Sequence, residues 1–213
     1  MEPQLTFSGL NWAKKHKREF DTVVTLYDPG SNHRLAYHQR PSHVAHRSYA
    51  FDDIEFFAPG LTPVTQVQAD ALWAFARERA RQGSTLVHCF HGVGRSAALT
   101  MALLADRFGC ATKAATALMD HRHQPDPDVS PNLMLLYRLD QCMGGNTGMV
   151  DAALATFGHQ RYLYRADCML RSFVFTGSEL ETYKANKAAY ARPFGPTPPH
   201  IDPSTMTWSF PPV

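Results

Sequence analysis

With 213 residues, 44% of them hydrophobic and 19% charged, the chain can bury one good core, or one core plus an appendage, and is too sparsely charged for a disordered or fibrous protein. Its formal net charge of +2 excludes the broad basic excess of nucleic-acid binders, so any anion recognition has to be local. The four cysteines (Cys89, Cys110, Cys142, Cys168) form no C-x-x-C pair, no leader-like segment opens the sequence, and no run approaches the ~18 apolar residues of a membrane span. The expectation is a soluble cytoplasmic protein with free thiols and no membrane partner.

In chain order, the basic cluster Lys14 to Arg18 reads first, as a solvated helix face rather than a dock for an acidic partner. Val23, Val24, Thr25 and Leu26 then form a short apolar run stopped by Asp28-Pro29-Gly30, which predicts a buried strand and a turn. A second strand is expected at Ser48 to Phe51, followed by a loop closed at Pro59-Gly60. The next segment predicts a helix with Thr62 as N-cap, Pro63 at the first helical position and Gly83 past the end. Val67, Ala71, Leu72, Phe75 and Ala76 would form its buried face, with Arg77, Glu78, Arg79 and Arg81 exposed.

"STLVHC" predicts another strand, with Leu86 and Val87 at its centre. A helix from Ser96 to Phe108, ended by Gly109, follows, then a helix over Lys113 to Arg122. A further helix takes Ser130 as cap, Pro131 as first residue and Gly144-Gly145 as stop. Strands alternating with amphipathic helices predict an α/β domain over 1–155, a central mostly parallel sheet flanked by helices. Residues 156–213 form a C-terminal extension. It holds a strand in "MLRSFVFTG", a helix in "SELETYKANKAAYAR" with Ser178 and Glu181 at capping-box spacing, and a proline-laden arm in which no regular element is expected. Phe194, Trp208 and Phe210 suit an arm packed on the domain; a disordered tail is the equal alternative.

The chemistry concentrates in "HCFHGVGRS", where the strand ends and the helix begins. Glycines at such a junction let consecutive backbone N–H groups curl around an anion at the positive end of the helix dipole. The amides of Phe90, His91, Gly92, Val93, Gly94 and Arg95 would make this phosphate-binding ring, and the Arg95 fork can hold two oxygens at once. Cys89 sits at its mouth, in surroundings of the kind that favour a nucleophilic thiolate. A zinc reading of His88, Cys89 and His91 fails, because neighbours on one turn cannot converge tetrahedrally without ligands from elsewhere.

Cys89-x5-Arg95-Ser96, preceded by Leu86-Val87-His88, resembles the signature of cysteine-dependent protein tyrosine and dual-specificity phosphatases. "VVTLYDPG", "FDDI", "SPNLMLLYRLDQCMGG" and "GMVDAA" extend the resemblance over Asp21 to Ala155, toward a compact bacterial-type tyrosine phosphatase. The resemblance implies a metal-independent phosphatase with no cofactor, acting on a phosphorylated protein or peptide with phosphate or another oxyanion in its loop. Phosphotyrosine is the expected substrate; phosphoserine and phosphothreonine stay open. It implies that Cys89 attacks phosphorus, Arg95 binds the phosphate, Ser96 donates to the departing sulfur and His88 orders the loop. His91 falls at a variable position, free to touch substrate or only solvent.

The leaving group needs a proton, and the resemblance points to Asp53 as the acid, ahead of its neighbour Asp52. Gln124-Pro125-Asp126 imitates an acid loop but follows the cysteine, and Asp128 lies just before the Ser130 cap, so both aspartates read as loop chemistry. Asn132 matches a family position that braces the phosphate loop. Tyr27, Phe56 and Phe57 either line the entrance or simply pack. Competing functions are a phosphatase of phosphoinositides or RNA 5′-phosphates, which the near-neutral charge disfavours, a phosphoprotein-binding module, which the retained nucleophile disfavours, and a sulfurtransferase, which the arginine spacing and trailing serine disfavour.

Overall fold

Apolar residues crowd the central strands because both faces of a parallel sheet are buried. The computed structural model describes residues 3–31, 41–54, 61–123, 128–158 and 162, together with the backbone of 200–202 and 207–209. The strands β1 (Leu5–Gly9), β2 (Thr22–Tyr27), β3 (Ala45–Ala50) and β4 (Thr85–Cys89) make an all-parallel sheet in the order β1-β4-β2-β3. Every residue of β4 is buried, whereas the edge strand β3, "AHRSYA", has none fully buried. Polar edges of this kind discourage pairing with another chain. The opposite edge, β1, is covered: Phe7 bridges Arg122 and the Leu5 carbonyl lies 2.9 Å from His121 Nδ1.

Side chains alternate across this sheet with a period of two. Val24, Leu26, Val87 and Cys89 face the larger core, built with the helices α2 (Gln66–Gln82), α3 (Arg95–Phe108), α4 (Ala111–Ala117), α5 (Leu133–Cys142) and α6 (Met149–Phe157). Val23 and Leu86 face a smaller core closed by α1 (Leu10–His16) through Leu10 and Ala13. Cys89 and His88 therefore project to opposite sides of the sheet. Tyr162, beyond α6, is fully buried in the larger core.

The α/β architecture expected from the sequence is the one observed, with several boundaries displaced for physical reasons. The N-cap of α2 is Thr65, not Thr62, in a complete capping box with Gln68. Thr62 cannot cap, because its N–H donates to Asp52 Oδ2 at 2.7 Å and its carbonyl accepts from the Asp52 N–H at 2.8 Å. The buried stripe of α2 is correspondingly rotated to Ala69, Leu72, Trp73, Ala76 and Ala80, leaving Ala71 exposed and Val67 77% exposed. Likewise α5 is capped by Asn132 rather than Ser130, because the Asn132 N–H that a Ser130 cap would hold is committed to the Gly94 carbonyl at 3.2 Å. The expected helix over 113–122 is α4 followed by a 3₁₀ turn, Leu118–His121, after which the chain extends to pair with β1.

Four elements escaped the sequence reading: β1, α6 and the strands β5 (His200–Asp202) and β6 (Thr207–Ser209), which pair antiparallel; of α1 only the basic helix face was expected. The expectation of no regular element in the arm is thus wrong: "HID" and "TWS" hold no proline, and the prolines only flank them. The strand and helix expected in 169–192, with Ser178 and Glu181, lie outside the described residues, as do Phe194, Phe210 and Cys168. No helix among the described residues is long and apolar enough to cross a membrane. Because Thr65 is the cap, Thr65→Ala lowers unfolding free energy by about 1 kcal/mol, while Thr62→Ala stays within about 0.5 kcal/mol, as measured by urea denaturation.

Candidate active site

A parallel sheet brings the carboxyl ends of all its strands to one edge, where open α/β sheets bind ligands. Here that edge carries Gly9 from β1, Asp28 just beyond β2, Phe51 to Asp53 beyond β3 and Cys89 at the end of β4. The loop 90–94 leaves Cys89 and feeds α3, so the positive end of a 14-residue helix faces the sulfur.

The loop is tied down by its carbonyls. Phe90 O accepts from Leu10 N–H at 2.9 Å, Val93 O from Ser130 N–H at 3.0 Å, and Gly94 O from Ala98 N–H at 2.9 Å and Asn132 N–H at 3.2 Å. In a trans peptide the N–H points opposite to the C=O, and no peptide bond among the described residues is cis. The N–H groups of His91, Gly94 and Arg95 are therefore turned away from these outer partners, toward the inside of the loop. The Gly92 N–H donates to Cys89 Sγ at 3.2 Å, and Ser96 Oγ lies 3.3 Å from the same sulfur.

Gly92 is required twice over. Its φ is +77°, and a Cβ there would lie 2.3 Å from the Gly9 nitrogen and 2.4 Å from the Ser8 carbonyl carbon. Gly9 answers from the other side, where a Cβ would meet His91 O at 2.9 Å. The end of β1 is the backing plate of the loop, a role the sequence reading missed. Gly92→Ala lowers stability by at least the roughly 1–3 kcal/mol of such backbone strain, read as a fall in melting temperature.

Arg95 is 2% exposed. Its Nη1 donates to Phe51 O at 2.6 Å and its Nη2 lies 3.0 Å from Asp28 Oδ1. Its Nε is buried without a hydrogen-bond partner among the described residues, 3.8 Å from Asp53 Oδ2. Burial works against the charge, but Asp53, Cys89 and Asp28 outweigh it and raise the guanidinium pKa above its ordinary value.

The expected acid pair separates. Asp52 staples the base of its loop to Thr62, whereas Asp53 stands beside Arg95 and accepts from Asn132 Nδ2 at 2.9 Å. Asn132 reaches both parts of the site. Its backbone N–H holds the loop through Gly94 O, and its side chain holds Asp53 and the Ile54 carbonyl while accepting from Leu135 N–H. His91 and Phe90 are exposed at the rim with rings edge to face, Tyr27 is half-buried and Asp128 is exposed. Phe56, Phe57, Gln124, Pro125 and Asp126 lie outside the described residues. Among the described residues no group of three or more His, Cys, Asp or Glu side chains could hold a metal.

His88 lies under the loop. Its Nδ1 is 3.4 Å from the Cys89 carbonyl, which can only accept, so Nδ1 carries the proton and Nε2 accepts from the Thr25 hydroxyl at 2.7 Å. Thr25 Oγ1 in turn accepts from His46 Nε2 at 2.9 Å. Burial, only partly offset by the Cys89 carbonyl, lowers the His88 pKa to about 4. Between the unfolded value near 6.5 and about 4, the unfolded chain binds a proton that the folded chain refuses. Stability is therefore full above pH ~6.5 and falls, on the order of 3 kcal/mol, as pH drops toward 4. Denaturant titrations across that interval show the slope, and His88→Gln flattens it.

No family model matches the chain, and no curated protein matches it. Solved structures do. A human tyrosine phosphatase-like serine/threonine/tyrosine-interacting protein is 17% identical, with 63% of this chain and 82% of that one covered and a TM-score of 0.45. The Yvh1 phosphatase domain from Chaetomium thermophilum is 20% identical, with 69% and 95% covered and a TM-score of 0.41. OH1 from the Orf virus, described as a tyrosine phosphatase with triple substrate specificity, is 17% identical, with 81% and 89% covered and a TM-score of 0.33.

Proposed function

We propose that this chain is a metal-independent phosphatase of the cysteine-dependent tyrosine phosphatase type, hydrolysing phosphotyrosine through a phosphocysteine intermediate. The observation that carries the reading is the buried Arg95 Nε, a donor without a hydrogen-bond partner among the described residues, at the side of a loop that wraps the Cys89 sulfur. A buried, unsatisfied guanidinium donor is costly unless an anion completes it, and a phosphoryl group has the charge and oxygens to do so.

In this mechanism the phosphoryl oxygens take the inward N–H groups of His91, Gly94 and Arg95 together with Arg95 Nε. Cys89 Sγ attacks phosphorus as the thiolate, the bond to the ester oxygen breaks, and Asp53 delivers its proton to the departing phenolate. Charge on the equatorial oxygens is met by donors already in place. Water then attacks the phosphocysteine and yields its proton to Asp53, inorganic phosphate forms, and the sulfur leaves with the Ser96 hydroxyl at hand to donate to it. His88 fixes the peptide behind the nucleophile, and Asn132 holds loop and acid together.

Phosphate or another oxyanion occupies the loop in this reading, and a phosphorylated protein or peptide is the substrate. The domain is 1–155 in outline, with 156–213 as extension, although α6 runs on to Phe157 and Tyr162 still packs in the domain's core. Assayed with an aryl phosphate in EDTA, the wild-type protein turns over and Cys89→Ser does not. Asp53→Ala loses about 10²–10⁴-fold in turnover, more on poor leaving groups than on good ones, and Asp52→Ala loses less. Activity that survives Cys89→Ser, or needs a metal, contradicts the proposal.

A further inference from the structure

Arg95 is held by two carboxylates, and they are not equivalent. Asp53 faces Nε at 3.8 Å, beyond hydrogen-bond distance, from the loop that follows β3. Asp28 contacts Nη2 at 3.0 Å from a turn built to hold still. Pro29 fixes that turn's next φ, Gly30 takes φ +73°, and the N–H and hydroxyl of Ser31 both donate to the Asp28 carbonyl at 3.1 and 2.7 Å. These contacts use the Asp28 backbone, so the turn keeps them when the side chain is changed.

We infer that Asp28 is the positioning residue of the phosphate-binding arginine: with the Phe51 carbonyl it fixes the plane of the guanidinium so that Nε faces the loop. This rests on the phosphatase reading and deepens it. Two anchors from neighbouring strands, one on Nη1 and one on Nη2, define a plane; one anchor leaves the group free to tip about it. The incoming anion takes over Nε, displacing Asp53 toward the leaving group, while Asp28 stays on Nη2 throughout. Asp28 does not touch the reacting atoms, and bound to the guanidinium it serves as an acceptor, not as an acid.

Geometry and charge make opposite forecasts. If Asp28 merely balances charge, removing it leaves the site more positive, and Asp28→Asn and Asp28→Ala both bind oxyanions more tightly. If it positions Arg95, Asp28→Asn keeps an oxygen for Nη2 and works near the wild-type level, while Asp28→Ala loses the anchor. The test measures kcat and KM on p-nitrophenyl phosphate, tungstate affinity by calorimetry and melting temperature for wild type and both variants. Asp28→Ala is expected to lose about 10²-fold in kcat with a smaller change in KM and weaker tungstate binding, and Asp28→Asn to recover most of both. The isosteric Asn variant decides the matter if Ala impairs folding.

An unchanged Asp28→Ala, an Asn variant as damaged as Ala, or tighter tungstate binding in either overturns the inference while leaving an active wild type standing. A wild type with no turnover overturns the phosphatase reading, and this inference with it.

Discussion

A full positive charge buried to 2% exposure is the constraint around which this fold is arranged. Removing a guanidinium from water costs several kcal/mol unless its hydrogen-bonding needs are met inside. Arg95 meets them with a carbonyl from beyond β3 and a carboxylate from beyond β2, and keeps one donor for the loop it opens. The arginine cannot be sited this way unless those strand ends lie side by side. A parallel sheet with β4 at its centre supplies that, since it delivers every strand's carboxyl end to the same edge.

The loop itself is held from outside in. Its carbonyls are committed to α1, to the residues before α5 and to α3, and the inward direction of its N–H groups follows from the planarity of the peptide. The same interactions displace the helix caps. Asn132 gives the loop the N–H that a Ser130 cap would hold and Thr62 gives both backbone groups to Asp52, so α5 and α2 each start later than their best local signals. Local propensity was overruled where the site needed the backbone.

What was legible in the sequence was local. Cys89, Arg95 and Ser96 lie on one short stretch, and glycines between them announce a backbone that curls; the core strands announce themselves by Val and Leu runs. Four contributions were not legible because they join residues far apart in the chain. Asp28 read as a turn residue, Gly9 belonged to a strand whose Thr6 and Ser8 mask the alternating Leu5 and Phe7, Thr25 read as part of a core run, and the hold of Asn132 on Asp53 spans the sheet edge. Period-two alternation at Leu5 and Phe7 was the one signal that would have found β1. In α2 the buried stripe takes Trp73 and leaves Val67 exposed, and a helix start placed at Thr62 instead of Thr65 removes the check that a correct N-cap provides.

The claim at the centre of this account is that the Cys89 sulfur becomes the phosphoryl acceptor inside that loop. Quenching the wild-type protein during aryl phosphate turnover and mapping the adduct by peptide mass spectrometry tests it directly. The account predicts a phosphoryl group on the peptide holding Cys89, accumulating further when Ser96 is replaced by Ala. Turnover with no adduct on that peptide, or with the phosphoryl group on another residue, contradicts it.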